Sequence, residues 1–218
     1  MRNLQEESLK SLVVRYHQGD DCKELSFEIE RRFEIPGDDD VSLSELSALH
    51  KNYGLSNYVY EGTTLAEARE IFRSVDLSGE SLFFDIGAGY GALVLYGAAL
   101  APATFVAVEA VGKRADHIAR MAARLGLKNI RVVNDGAAAV NHAQASHIYL
   151  NNPFLGGFAR DYVDRLAGEI GRECIVIALN NIVADFRRSD RFLELETRAD
   201  IPSYRFGLFA ASGPASRA

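Results

Sequence analysis

The feature that most constrains the fold is the stretch from Ser81 to Leu93, where an apolar run leads into three closely spaced glycines. The apolar run shows little alternation with polar residues, which is typical of a strand covered on both faces. Gly87, Gly89 and Gly91 allow a sharp turn, and because they lack side chains the backbone can approach a ligand closely. The apolar segment from Ala92 to Leu100 predicts a helix whose first N–H groups face an anionic or carboxylate-bearing ligand.

Two kinds of nucleotide ligand fit such a turn. Gly87, Gly89 and Ala92 match the dinucleotide fingerprint G-x-G-x-x-G/A loosely. Asp85 favours S-adenosylmethionine (SAM) instead of NAD, because its carboxylate can bind a ligand's ammonium group and would repel a pyrophosphate. The pattern Asp-x-Gly-x-Gly-x-Gly that ends at Gly91 resembles motif I of class I SAM-dependent methyltransferases.

Acidic side chains also follow the next two predicted strands. Glu109 closes the second strand, about twenty residues after the turn, where a carboxylate can accept both ribose hydroxyls. Asp135 follows the third strand and can either reach the adenine amino group or form an ordinary turn with Gly136. With Asp85 and Ala88 in the first turn, these residues predict a SAM pocket.

The bulk composition indicates one enzyme domain. At 218 residues the chain can bury a large core and is short for two domains. No apolar run approaches the eighteen or so residues that span a membrane. The first seven residues are polar and acidic, so we expect no signal peptide and a cytoplasmic location.

No metal site is predicted. Cys22 and Cys174 are far apart, which indicates a reducing compartment, and burial is the expected role of Cys174. Five histidines show no metal-ligand spacing, and we expect a surface role for each. They are His17, His50, His117, His142 and His147.

The negative charge is concentrated at one end. Residues 1–50 carry 12 acidic and six basic residues, a net charge of −6. The whole chain has the same net charge, so the rest of the chain is neutral. An acidic N-terminal part argues against an arm that wraps nucleic acid, because phosphate binding needs positive charge. The acidic surface is interpreted either as a solvated face or as a docking surface for a basic partner.

Strands and helices alternate after residue 81, which predicts a parallel sheet with helices on both faces. Helices are expected before it at 4–18, 24–34, 42–53 and 65–75, and capping boxes mark the last two. Later strands are expected at 104–109, 129–133, 146–150 and 173–179, with helices at 112–125 and 158–170. Two tail strands, 192–197 and 204–210, can pair as an antiparallel edge.

The predicted fold class is therefore α/β, a Rossmann-like, doubly wound sheet of seven mostly parallel strands with an antiparallel edge. N-terminal helices precede it. We divide the chain into a helical cap or substrate region (1–56), a SAM-binding methyltransferase core (57–211) and a disordered tail (212–218).

The segment after the fourth strand carries two asparagines and an aromatic ring. Ligands of such sheets bind beyond the C-terminal ends of the strands, where Asn151, Asn152 and Phe154 follow. Amide oxygens can orient a neutral amine, and a ring can contact a cation. The alternative is an ordinary turn. We predict catalytic roles for these three residues.

The segment from Tyr60 to Asn152 resembles the disruptor-of-telomeric-silencing family, seven-strand lysine methyltransferases without a SET domain. That family carries a Tyr-Gly-Glu-Thr loop, a Val-Asp-Leu-Gly-Ser-Gly-x-Gly-Gln turn, a Gly-Val-Glu strand end and an Asn-Asn-Phe-x-Phe-Gly loop. The corresponding segments here are Tyr60-Glu61-Gly62-Thr63, 84–92, 107–109 and 151–156. The resemblance implies cofactor-binding roles for Tyr60, Glu61, Thr63 and Asn151, and N-methylation of a protein lysine.

Three departures keep the acceptor open. Glu61 and Gly62 are transposed relative to the family loop, and Pro153 interrupts the asparagine–phenylalanine motif. Asn-Pro-Phe also resembles the Asn-Pro-Pro-Tyr/Phe loop of enzymes that methylate nitrogen in nucleic acids. The family's basic nucleosome-binding segment has no counterpart. Methylation of a small molecule or RNA, or SAM binding without catalysis, therefore stand as alternatives, and no oligomeric state is indicated.

Overall fold

Seven strands form one sheet in the computed structural model, which describes residues 4–20, 22–37, 41–53, 60–154, 156–171 and 173–212. The strands are β1 (Leu82–Ile86), β2 (Thr104–Val108), β3 (Ile130–Val133), β4 (His147–Asn151), β5 (Ile175–Leu179), β6 (Phe192–Leu195) and β7 (Phe206–Ala211). Their spatial order is β3-β2-β1-β4-β5-β7-β6. β1 to β5 run parallel, and β7 pairs antiparallel with both β5 and β6. The predicted fold class is confirmed.

Eight α-helices are described with the sheet. They are α1 (Leu9–Gln18), α2 (Lys23–Phe33), α3 (Leu43–Tyr53), α4 (Leu65–Arg73), α5 (Ala92–Leu100), α6 (Gly112–Leu125), α7 (Gly157–Glu169) and α8 (Ile182–Arg188). A short 3₁₀ helix, Ala137–Ala139, follows β3. The sequence predicted all of these α-helices except α8.

The central strands bury both faces because helices pack on each side of the sheet. Phe83 belongs to one apolar cluster and Phe84 to the other, since successive side chains of a strand point to opposite faces. Cys174 lies in the second cluster and is buried as expected, and this burial raises the pKa of its thiol to about 12.

Helix α5 is apolar all round, and the N-terminal helices explain how it avoids water. Both α1 and α4 pack against it, so its outer face is covered as well as its sheet-facing side. Tyr16 of α1 and Phe72 of α4 both contact Tyr96 of α5 through their rings, at centroid distances of 6.4 and 5.9 Å. The first two helices therefore pack in the same hydrophobic cluster as the sheet. The proposed domain boundary falls between described segments and stays a prediction.

Two N-terminal details differ from the sequence prediction. Helix α1 begins at Leu9 instead of residue 4, because the Ser8 hydroxyl accepts the N–H of Ser11 and caps the helix there. In α2, Leu25 and Ile29 are buried as predicted, but Phe27 is 66% exposed. Phe27 lies two positions from Leu25 and Ile29, which places it on the opposite side of a helix.

The two predicted capping boxes are present. The Ser42 hydroxyl accepts the N–H of Glu45, and the Glu45 carboxylate accepts the N–H of Ser42. Thr64 and Glu67 make the same reciprocal pair before α4. The expected cap at Gly54 and residues 213–218 of the predicted tail lie outside the described residues. Ser212, the first residue of that tail, is ordered, and its N–H donates to the Arg191 carbonyl at 2.9 Å. Within those residues no helix is long and apolar enough to cross a membrane.

Candidate active site

The glycine turn connects β1 to α5 with a backbone that only glycine adopts freely. Gly87, Gly89 and Gly91 all have positive φ, at 76°, 57° and 83°. The N–H groups of Gly87 and Ala88 both donate to the Val108 carbonyl, which fixes the turn to the end of β2. The first residues of α5 therefore open toward the C-terminal edge of the sheet.

Asp85 is a buried carboxyl beside this turn. It is 3% exposed and accepts no hydrogen bond from any residue that the structure describes. Burial, with the nearby charge of Glu109, raises its pKa to about 8. It lines a small cavity together with Gly87, Thr63 and Tyr149. A ligand ammonium group in that cavity would compensate the ionised carboxylate.

Glu109 lies at the end of β2 and fixes the backbone around it. Its Oε2 accepts the N–H of Gly89 at 2.7 Å, and its Oε1 accepts the N–H of Val111 at 2.8 Å. The guanidinium of Arg114 lies 3.8 Å from Oε1. A carboxylate oxygen can accept more than one hydrogen bond, and Glu109 lines the pocket, so ribose hydroxyls can donate to it as well.

The loop before α4 packs on the glycine turn. A Cβ added at Gly89 would lie 2.5 Å from the Tyr60 ring, so this contact requires the glycine. The Tyr60 ring also meets the edge of Tyr90 at 5.0 Å between centroids. Thr63 Oγ1 and the Tyr149 hydroxyl share a hydrogen bond of 2.7 Å. The loop thus forms one wall of the pocket.

Asp135 forms another part of the pocket wall, after β3. Its Oδ1 accepts the N–H of Gly136 at 2.7 Å, which is the turn that the sequence allowed. The residue also lines the same cavity as Tyr60, Glu109 and Phe154. The two interpretations of Asp135, as a turn residue and as a contact for the adenine amino group, are compatible. A carboxylate that stabilises a turn with one oxygen can present the other to a ligand.

The two asparagines after β4 are held by hydrogen bonds through both ends of their amides. Asn151 Nδ2 donates to the Glu61 carbonyl at 3.0 Å, and its Oδ1 accepts from Asn180 at 2.8 Å. Asn152 Nδ2 donates to the Glu61 carboxylate at 2.9 Å, and its Oδ1 accepts the N–H of Ile182 at 3.2 Å. Because each amide oxygen already accepts one hydrogen bond, it can orient an amine only by accepting a second one.

Phe154 is 5% exposed and belongs to the apolar cluster beneath α7. Its ring contacts Phe158 and Tyr162 at centroid distances of 5.0 and 4.6 Å. It also lines the pocket that contains Glu109 and Asn152. The ring is therefore both a packing residue and part of the pocket wall.

The comparison of the sequence with family models decides the family. Residues 40–198 match the model described as histone methylation protein DOT1. The chain belongs to the DOT1 family. As a DOT1-family protein it is a SAM-dependent methyltransferase with SAM as its cofactor. No curated protein sequence matches the chain.

Solved methyltransferase structures share the fold of this DOT1-family chain. The putative methyltransferase yhhF from Escherichia coli has a TM-score of 0.56 at 16% identity, over 72% of this chain and 90% of that one. The tRNA (m1A58) methyltransferase TrmI from Aquifex aeolicus has a TM-score of 0.54 at 14% identity, over 72% of each chain. An RNA methyltransferase from Salinibacter ruber, in complex with S-adenosyl-L-homocysteine, has a TM-score of 0.51 at 16% identity, over 69% of this chain and 91% of that one.

The pocket of this DOT1-family chain fits SAM on its own residues. Asp85 lacks a hydrogen-bond partner among the described residues and suits an ammonium group, and Glu109 suits a ribose. Asp135 and the apolar residues beside it suit an adenine, which needs a polar contact at its amino edge and apolar contact at its faces. The predicted cofactor-binding residues share two adjoining cavities. They are Tyr60, Glu61, Thr63, Asp85, Gly87, Ala88, Gly89, Glu109, Asp135 and Asn151.

Gly91 is the one predicted cofactor-binding residue that lines neither cavity among those described. It precedes α5, and a Cβ there would lie 2.7 Å from Ile118. Its position indicates a role in turning the chain and packing α5 against α6, and its predicted contact with the cofactor stays a prediction.

Sequence reasoning missed four residues that complete the site. Tyr149 could have been found, because it pairs with Asp85 in the parallel register and shares its face. Arg114, in the first turn of the helix after β2, carried a weaker signal. Asn180 and Arg205 carried no signal in the sequence. Arg205 lies far along the chain, and its Nε donates to Asn180 Oδ1 at 2.8 Å only in the folded protein.

The expectation of surface histidines is wrong for three of the five. His117, His142 and His147 are buried, and burial lowers the pKa of each. His142 is enclosed because Glu169 and the Tyr162 hydroxyl bind its two ring nitrogens at 2.9 and 3.0 Å. No metal-ligating cluster occurs among the residues with described positions.

Proposed function

We propose that this protein transfers a methyl group from SAM to the side-chain amine of a lysine in a protein acceptor. The observation that carries the proposal is the link between Asn152 and the Glu61 carboxylate at the mouth of the cofactor pocket. An acidic group held there attracts a cationic lysine, and the family description, histone methylation protein, names protein methylation.

Bound SAM supplies a methyl group on a cationic sulfur, which leaves readily to a nucleophile. The lysine nitrogen must be neutral to attack, so its ammonium form first releases a proton to solvent. Its lone pair then forms the N–CH₃ bond while the S–CH₃ bond breaks, and the sulfur keeps the bonding electrons as a neutral thioether. The methylated nitrogen is positively charged and releases a second proton to solvent if it is to be neutral again.

The residues of this chain contribute alignment and a drier environment. Phe154 and Pro153 line the pocket beside the asparagines with apolar surface, which disfavours the charged form of an amine. The hydrogen bonds of Asn151 and Asn152 hold that loop in one position relative to β4. Fixed geometry of this kind lowers the barrier by restricting the reactants to near-attack arrangements.

The test is methyl transfer from tritium-labelled SAM into a cell lysate, followed by separation of protein, RNA and small molecules. We expect label in the protein fraction, recovered as methyllysine after acid hydrolysis. A chain with Asp85→Asn, which removes the carboxylate expected to bind the ligand ammonium and so weakens SAM binding, serves as the control and should transfer less label. Label in protein that is not methyllysine, or in another fraction, would contradict the proposal.

RNA or a small molecule is the second candidate acceptor. It is favoured by the Asn152-Pro153-Phe154 run, which resembles the acceptor loop of nucleic-acid N-methyltransferases. The Asn152 amide, however, already donates to Glu61 and accepts from Ile182. The net charge of −6 also disfavours a polyanionic acceptor. Label in the RNA fraction of the same experiment would select this candidate.

A further inference from the structure

A second cleft adjoins the cofactor pocket on the other side of the asparagine loop. Its volume is about 790 Å³, and Phe154 lines both cavities. The start of α7, the end of β5, helix α8 and the segment before β7 enclose it. An acceptor whose reactive group lies beside Phe154 would continue into this cleft.

The cleft is positively charged although the chain as a whole is acidic. Arg160, Arg188 and Arg205 line it with a single carboxylate, Asp185. Arg160 is exposed and makes no ion pair or hydrogen bond with the part of the chain that the structure describes. The Arg188 side chain is 72% exposed and lies 3.5 Å from Asp185. Arg160 is therefore available to an anionic ligand, and the exposed guanidinium of Arg188, which pairs with Asp185 through Nη1, can contact one as well.

Hydrogen bonds connect the residues at the base of the cleft. Arg205 donates from Nε to Asn180 at 2.8 Å and from Nη2 to Glu67 at 2.9 Å, and Asn180 donates to Asn151 at 2.8 Å. Asn180 has a φ of 67°, which is uncommon for a residue other than glycine and persists where the surroundings enforce it. The cleft floor is thus tied directly to the loop that lines the cofactor pocket.

The remaining lining suits a peptide. Tyr204 is 75% exposed and offers a ring with a polar end, and the exposed Asn181 can donate to or accept from a peptide backbone. Nucleic acid is the less suitable ligand, because its binding needs an extended basic surface and the chain carries a net charge of −6.

We propose that this cleft binds acidic residues that flank the target lysine of the protein acceptor. The inference rests on the proposed lysine methylation, whose reactive nitrogen would lie on the Phe154 side. Arg160 and Arg188 would pair with acceptor carboxylates, while Glu61 would face the lysine. The protein would then select lysines beside acidic segments, by charges of opposite sign on either side of the asparagine loop.

The test uses three fluorescent peptides, each with one target lysine that is flanked on one side by six identical residues. These six residues are glutamates in the first peptide, glutamines in the second and lysines in the third. Binding is measured by fluorescence anisotropy in the presence of S-adenosylhomocysteine. We expect the glutamate peptide to bind about tenfold tighter than the glutamine peptide, a difference of about 1.4 kcal/mol. The preference should shrink at high salt, because exposed charges are screened.

The double variant Arg160→Glu/Arg188→Glu should lose this preference and bind the lysine-flanked peptide better than the glutamate peptide. Arg131→Glu, an exposed charge reversal on β3, is the matched control and should behave as the unmodified protein. Unchanged melting temperature and S-adenosylhomocysteine affinity in the double variant confirm that the fold and the cofactor pocket are intact.

Three outcomes would overturn the inference: equal affinity for the three peptides, an unchanged glutamate preference in the double variant, or tighter arginine-dependent binding of a single-stranded RNA of equal charge. Failure of the proposed function looks different. In that case the glutamate peptide binds through the two arginines but its lysine is not methylated, with or without the glutamates. If the peptides are methylated at rates that do not depend on the flanking charge, the binding of acidic residues by the cleft is refuted, whereas lysine methylation is supported.

Discussion

Two carboxylates of the cofactor pocket show how differently one fold can treat the same functional group. Glu109 accepts two backbone N–H groups and lies near Arg114, so its ionised form is stabilised before any ligand arrives. Asp85 has no such partners among the described residues, and its pKa is raised to about 8. Glu109 thus supports the turn, whereas Asp85 depends on a cationic ligand for compensation.

Asp85→Asn should weaken SAM binding by about tenfold or more, because it removes a charge-assisted contact with the ligand ammonium. At pH 7 the unmodified protein should release a proton when SAM binds, since the ligand cation favours the ionised carboxylate. Calorimetric titration in buffers of different ionisation enthalpy measures that release, and the variant should lack it. Equal proton release in both proteins would contradict the assignment.

The same substitution predicts a change in stability with pH. The pKa of Asp85 is raised from 3.8 in the unfolded chain to about 8 in the folded protein. Between these values the folded state holds a proton that the unfolded state releases, so this group lowers stability as pH rises from about 4 to 8. Without ligand, Asp85→Asn should therefore melt at a higher temperature than the unmodified protein at pH 8. At pH 4 the difference should be small.

Glu109→Ala should weaken SAM binding by roughly 1–3 kcal/mol through loss of charge-assisted hydrogen bonds to the ribose. It should also lower the melting temperature, because the N–H groups of Gly89 and Val111 lose their acceptor. Glu109→Gln, which keeps an oxygen for one of them, is the control and should lose less stability. Titration calorimetry and thermal melting on both variants separate the two effects.

At the scale of elements, the asparagine loop joins parts of the fold that are distant in sequence. Asn152 caps the first N–H of α8 and also binds Glu61 in the loop before α4. This explains why the sequence did not predict α8. The helix has seven residues and its own Asn181 makes no side-chain cap, so its N-terminal cap is supplied by a residue thirty positions earlier.

Asn151→Ala and Asn152→Ala should each lower turnover by about tenfold or more, which corresponds to about 1.4 kcal/mol of barrier. SAM affinity should stay within about threefold, because misalignment affects the transition state more than cofactor binding. Asn152→Ala should also lower the melting temperature, since it removes the cap of α8. Single-turnover methylation, calorimetry and thermal melting on both variants test this. Full turnover in both would show that the loop is an ordinary turn.

At the scale of the whole molecule, the sequence predicted the sheet and the cofactor pocket because their signals are local. The glycine turn, the acidic residues after the strands and the capping boxes each lie within a few residues of what they determine. The partners of Asn151 could not be predicted in this way. One of them, Asn180, is bound by Arg205, whose segment lies beside the C-terminal end of β5 through the antiparallel pairing of β5 and β7.

Arg205→Ala should lower turnover without a comparable loss of SAM affinity. Its guanidinium contacts Asn180 and Glu67, and among the described residues it lines the acceptor cleft but not the cofactor cavities. Arg205→Lys keeps the charge but cannot make both contacts in the same geometry, so it should restore little activity. Equal reductions in turnover and in SAM affinity would indicate a general loss of folding instead.

The position of β7 between β5 and β6 bears on how the chain is made. A ribosome delivers β5 and β6 first, and until residues 206–211 emerge, β5 has an open edge of apolar residues with unpaired backbone groups. A product that stops before residue 206 would lack this strand entirely. The exposed edge of such a fragment would associate readily with strands of other chains. We therefore expect chaperones and proteases to recognise this protein mainly when its synthesis is interrupted before β7.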